Sequence, residues 1–180
     1  NNLLCIAEKE VFVVDAVFDR MMAAMEKAGA LRLDARETER LTREAVVQVG
    51  DDKHDAPSKD YLGQDAAKLA RAAGRTAPAG TELIFAETDE HHPFVSIEQM
   101  MPFVPFVRCR DVDQAILKAK QYEHGFRHTS IIHSHDVRNM TRMGRILDTT
   151  LFVKNGPCMA ALGLGGEGYL SFSIDRKSVV

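Results

Sequence analysis

Between residues 104 and 154 the chain alternates strand, helix, strand, helix, strand, and this order constrains the fold more than any other feature. Strands are read at 104–108, 129–133 and 151–154, each short, apolar and bounded by turn residues. Asp111 opens a helix to about Glu123, closed by Gly125, and Asp136 opens another to about Leu147. Strands separated by helices need crossover connections, which favour parallel pairing in a sheet covered on both faces. The expected class is α/β: a three-layer α/β/α arrangement around a mostly parallel open sheet, in one domain.

The first half fits the same scheme. Residues 11–14 (VFVV) read as a buried strand. Asp15 is expected to cap a helix to about Lys27, with Val17, Met21, Met25 and Ala28 on its apolar face and Gly29 at its end. Asp34 followed by Glu37 is a capping-box pattern opening a second helix to about Val47. Residues 50–59 are charged, carry Pro57 and read as a surface loop. A third helix is expected over 63–73, ended by Gly74, then a strand at 82–87 and a loop at 88–93. Near the end, 169–174 alternates polar and apolar residues like a strand, and 175–180 reads as an untethered tail.

Composition narrows the function classes. With 180 residues, 45% apolar and 27% charged, the chain can bury a core of ordinary kind. A net charge of -3 without a basic stripe speaks against a nucleic-acid partner. No apolar stretch approaches the ~20 residues of a membrane span, and no signal-peptide pattern is visible. The cysteines Cys5, Cys109 and Cys158 lack C-x-x-C spacing, which argues against a disulfide framework or zinc site and for a reducing compartment.

Cys5 lies on a short polar-to-apolar turn just before the strand at 11–14. A thiol there can sit at the mouth of a site with its backbone anchored behind it, ready to form a covalent acyl intermediate. The plainer alternative is an inert small apolar residue. Glu98 precedes Pro102 and Pro105, which make a rigid approach to the strand at 104–108. Its carboxylate could accept a pair of ribose hydroxyls or could simply be solvated. Residues 162–168 (LGLGGEG) formally contain G-x-G-x-x-G but are followed by a strand pattern rather than a helix, so they fail as a dinucleotide loop. Among seven histidines, His124 and His128 are separated by the helix-breaking Gly125, and His133 and His135 share one strand side without a third ligand, so no metal site is expected. His128 is the histidine of interest, near a strand end in a sheet whose carboxyl ends usually carry the site.

Taken in order, 1–10 (NNLLCIAEKE), 61–66 (YLGQDA), 92–95 (HPFV), 98–102 (EQMMP), 124–129 (HGFRHT), 152–157 (FVKNGP) and 162–169 (LGLGGEGY) resemble the catalytic domain of the aldehyde dehydrogenase superfamily. The likeness is closest to its CoA-acylating propionaldehyde and acetaldehyde dehydrogenases, many of them bacterial microcompartment cargo. It spans nearly everything up to Ile174. It implies a catalytic (nucleophile) domain over 1–174, a divergent or foreign tail over 175–180, and an NAD-binding domain preceding Cys5 and absent from this chain. It implies that Cys5 is the nucleophile and Glu98 the carboxylate that binds the nicotinamide ribose. The implied reaction is NAD-dependent oxidation of a short-chain aldehyde through a cysteine thioacyl intermediate, with CoA as acyl acceptor and no metal. The family further implies a cytoplasmic or microcompartment location and a homo-oligomer in the full-length protein. The 180-residue chain alone is then expected to be inactive.

Two departures stand out: Leu4 where the family usually has proline, and Cys158 where it has serine. Two other readings stay open. One is a hydrolytic relative giving the free acid, disfavoured because such members more often show Gly-Gln before the cysteine and Phe-Gly before the proline. The other is a non-catalytic α/β interaction module.

Overall fold

The structure, a computed structural model, describes residues 2–166. It divides into two compact units, Asn1–Asp111 and Val112–Val180. The strand expected at 169–174 and the tail 175–180 lie outside the described residues.

The first unit runs β1 (Val11–Val14), α1 (Asp15–Lys27), β2 (Leu31–Arg32), α2 (Ala35–Ala45), β3 (Val46–Val49), β4 (His54–Pro57), α3 (Ala66–Ala72), β5 (Ile84–Thr88), α4 (Pro93–Ser96) and β6 (Phe103–Cys109). Its main sheet has the order β1-β6-β5-β2, with every pair parallel. Strand β6 is an inner strand, buried at every position except the half-buried Arg108, as its apolar run 103–107 requires. Side-chain alternation sorts the core into two layers. Ile84, Ala86 and Phe103 join Leu41, Ala45, Leu69 and Ala70 from α2 and α3. Phe85, Val104 and Phe106 join Phe18 and Met22 from α1. Helices thus cover both faces of a parallel sheet, as expected.

Proline inside a central strand normally removes a ladder bond, yet Pro105 sits in β6 opposite Ala86. Pairing with β1 begins only at Val11–Phe106. The Ile84 amide donates to the Pro102 carbonyl at 2.9 Å, so even-numbered residues here face β5. By alternation Pro105 faces the other side, ahead of the first β1 pair, where no ladder donor is needed.

Local signals explain most boundaries. Asp34 and Glu37 form the reciprocal capping box, at 2.8 and 2.9 Å. Gly29 and Gly74 end α1 and α3 in left-handed conformations. Three expectations are corrected. Asp15 does not cap α1, because its carboxylate is held by Arg108 at 2.7 Å. The buried face of α1 is Phe18 and Met22 with Met21 and Met25 beside them, while Val17 and Ala28 are exposed. Residues 46–57 are not helix end and loop but the antiparallel hairpin β3–β4.

The second unit runs α5 (Val112–Tyr122), β7 (Thr129–Ile132), α6 (Val137–Leu147), β8 (Leu151–Lys154) and a 3-10 helix (Cys158–Leu162). The pair β7–β8 is parallel, as the alternation predicts, but among the described residues it forms its own two-stranded sheet. Asp136 caps α6 by accepting from the Arg138 amide at 2.8 Å. Ile116, Ile132, Met143 and Leu147 form the local core. Lys120 donates to the Leu147 carbonyl at the end of α6.

Candidate active site

Cys5 occupies a turn closed by the Ala7 amide on the Leu4 carbonyl at 2.8 Å. Its thiol is exposed, while the next side chain, Ile6, is 2% exposed and pins the turn from behind. Among the described residues neither the Cys5 thiol nor its backbone amide has a hydrogen-bond partner. A nucleophile with an uncommitted N–H at its own backbone is the minimum arrangement for acyl chemistry, since that N–H can meet charge developing on an attacked carbonyl.

Glu98 lies between α4 and β6 and is exposed, with no hydrogen bond or ion pair among the described residues. An ionised carboxylate in that state is free to accept two hydroxyl donors.

The structure ties the segments that carry these two residues together. The Gln99 side chain, 1% exposed, donates from Nε2 to the Lys9 carbonyl at 2.7 Å and to the Phe103 carbonyl at 3.0 Å. Lys9 Nζ donates to the Val95 carbonyl at 2.7 Å and pairs with Glu10 at 3.0 Å. Asn2 Nδ2 donates to the Glu8 carbonyl at 3.2 Å. The Gly63 amide donates to the Met100 carbonyl at 3.0 Å, and Leu3 packs over Gly63. Gly63 and Met100 both adopt left-handed backbone, φ 64° and 45°. For Met100 this is uncommon and costs roughly 1 kcal/mol or more, the kind of local strain that clusters at functional sites. Gln99 Oε1 is buried without a partner, a penalty of about 1–3 kcal/mol. That a buried amide bears it indicates that its two donated bonds matter to the structure.

Gln99, Lys9, Gly63 and Met100 were not singled out by the sequence reading, although all lie within its motifs at 1–10, 61–66 and 98–102. The signal was the convergence of those motifs, which alone says nothing about contact. The motif at 92–95 supplies a further support. His92 Nδ1 accepts from the Phe94 amide at 3.3 Å, and Nε2 lies 3.1 Å from Thr42 Oγ1. Thr42 donates its proton to the Thr38 carbonyl at 2.8 Å, so Nε2 carries the ring proton and His92 is neutral. Burial holds its pKa below the ordinary value, partly opposed by Asp89.

The turn at Cys5 leads into the amino end of β1, and the loop at Glu98 leads into the amino end of the neighbouring β6. The candidate site therefore sits at the amino ends of parallel strands. At the carboxyl ends a closed charge cluster stands instead. Arg108 binds Asp15 and Asp19 at 2.7 Å and Glu87 at 3.1 Å, and lies 3.9 Å over the Phe18 ring.

In the second unit, His128 precedes β7 at its amino end, not a carboxyl end, with Nδ1 2.7 Å from Thr129 Oγ1. Its amide and that of Gly125 are held by the Glu123 carboxylate. No cluster of three or more metal-ligating side chains occurs among the described residues. Gly163 follows the 3-10 helix rather than a strand, so the glycine-rich run lacks the context of a dinucleotide loop.

Helices on both faces of a parallel sheet, with an exposed thiol and an exposed carboxylate on linked loops, define an α/β domain. The chain matches no protein-family model. It is 43% identical over 174 residues to the acetaldehyde dehydrogenase (acetylating) EutE of Salmonella typhimurium, covering 97% of this chain and 37% of the relative. Its fold matches Rhodopseudomonas palustris propionaldehyde dehydrogenase with bound propionyl-CoA at TM-score 0.89 and 39% identity, over 99% of this chain and 39% of that one. It matches a propionaldehyde dehydrogenase of the Clostridium phytofermentans fucose utilisation microcompartment at TM-score 0.89 and 36% identity, over 99% of this chain and 40% of that one. By sequence and fold, the chain is a homologue of part of the CoA-acylating aldehyde dehydrogenases, and it spans less than half the length of these relatives.

Proposed function

We propose that this chain supplies the nucleophile-bearing part of a CoA-acylating aldehyde dehydrogenase, with Cys5 as nucleophile and Glu98 as the carboxylate for the nicotinamide ribose. The observation that carries the reading is the exposed Cys5 thiol on a turn anchored by buried Ile6 and tied through Lys9 and Gln99 to the loop of Glu98.

Cys5 thiolate attacks the carbonyl carbon of a short-chain aldehyde, giving a thiohemiacetal whose oxyanion is met by the Cys5 amide. NAD would supply the acceptor for the hydride lost by that oxyanion, so that Cys5 is left as a thioester; the one proton of the overall reaction comes from ionisation of the CoA thiol. The thiolate of CoA then attacks that thioester and expels the Cys5 thiolate, giving acyl-CoA. The sum is aldehyde, NAD and CoA to acyl-CoA, NADH and a proton. Glu98 fits the ribose because its carboxylate is exposed and uncommitted among the described residues. The similarity to a Rhodopseudomonas palustris enzyme solved with bound CoA and an acylated cysteine supports the same order of events here. A homo-oligomer located in the cytoplasm or in a microcompartment goes with this reading. No helix among the described residues is long and apolar enough to cross a membrane.

The test is acyl acceptor dependence in the protein that carries this sequence. NADH formation from propionaldehyde or acetaldehyde should require CoA and yield acyl-CoA. A rate indifferent to CoA, with free acid as product, would favour the hydrolytic alternative.

A further inference from the structure

We infer that Gln99 is a positioning residue that fixes Cys5 relative to Glu98, and that it serves the hydride-transfer half of the reaction but not the acyl-transfer half. This rests on the reading just given. Gln99 is the direct chain neighbour of Glu98. Its side-chain amide holds the Lys9 carbonyl, four residues beyond Cys5, at 2.7 Å. The same nitrogen holds the Phe103 carbonyl at 3.0 Å, at the amino end of β6. That carbonyl faces the side where β1 has not yet begun, so the amide stands in for a missing strand and extends the sheet to the chain behind Cys5. Lys9 Nζ on the Val95 carbonyl makes a second strut between the same two segments. One buried side chain thus sets the register between the thiol and the carboxylate.

Hydride transfer demands that the thiohemiacetal on Cys5 and the nicotinamide held through Glu98 meet in register. Attack of CoA on the thioester needs Cys5 and its amide but not Glu98. A change at Gln99 should therefore slow one half-reaction and spare the other.

The experiment uses Gln99→Met, close in size but without the two donors. In cofactor-free protein, exchange of the Ala7 amide should accelerate at least tenfold, while amides of β5 and the distal part of β6 stay unchanged. Single-turnover acyl-enzyme formation with aldehyde and NAD should fall at least tenfold. Release of a preformed acyl group from Cys5 to CoA should change less than twofold. Gln99→Asn, which shortens the side chain by one methylene and withdraws the amide from both carbonyls, should show the same pattern and decides the matter if Gln99→Met does not fold. Unchanged Ala7 exchange, uniform acceleration through β6, or equal loss in both half-reactions would overturn the inference. Cys5→Ser, run alongside, separates this from the function itself: an enzyme still active after that change overturns the functional reading, not merely the role of Gln99.

Discussion

Leu3 lies over Gly63 so closely that a β-carbon on Gly63 would stand 3.1 Å from its methyl groups, while the Gly63 amide holds the Met100 carbonyl at 3.0 Å. Gly63 thus touches both the segment of Cys5 and the loop of Glu98. Gly63→Ala introduces a β-carbon at φ 64° and should cost about 1 kcal/mol for the left-handed backbone alone. The displaced atoms are the far end of an exposed leucine, so the steric part should be small. Urea unfolding should give that loss, and adding Leu3→Ala should recover little of it.

His92 makes stability depend on pH. Its folded pKa lies below the ordinary 6.5, because burial disfavours the charged ring. Above about 6.5 both folded and unfolded states are neutral there, and the stabilisation is complete. As pH falls below that value the unfolded chain takes up the proton first, so stability declines until the folded pKa is passed. Unfolding free energies between pH 7.5 and 5 should fall more steeply for the natural chain than for His92→Gln, whose baseline should be lower by about 1 kcal/mol from altered hydrogen bonding.

The three thiols should separate by accessibility. Burial pushes the Cys109 thiol up to about 11, with Asp111 adding to the effect. Cys158 is also buried and Cys5 is exposed. Iodoacetamide at pH 8, read by peptide mass, should label Cys5 first and leave Cys109 unmodified until denaturant is added.

Much of the fold was legible because periodicity records burial. The alternation of Ile84, Phe85 and Ala86 between two core layers is the pattern that marks a strand covered on both faces. The hairpin β3–β4 was not legible, because it is mostly exposed and held by its ladder, so His54 to Pro57 carries no apolar alternation. The α1 face was displaced by one residue, since Phe18 packs beneath Arg108 and takes the inward position that spacing alone assigned to Val17. At the site, Cys5 and Glu98 were chosen for their own chemistry. Gln99 and Lys9 act through backbone carbonyls distant in sequence, and a sequence does not announce which carbonyl a side chain will meet.

The capping box is a separable stability element. Asp34→Ala removes the acceptor for the Glu37 amide and should cost about 1 kcal/mol. Glu37 also binds Arg75 at 3.0 Å, so Glu37→Ala should cost at least as much. Chemical denaturation of both variants checks the order.

The most direct measurement is the mass of the peptide containing Cys5 after the protein that carries this chain is mixed with propionaldehyde and NAD without CoA. A propionyl increment on Cys5, released by adding CoA, is the predicted result. An unmodified Cys5 during active turnover, or an acyl group found on another residue, would contradict the account.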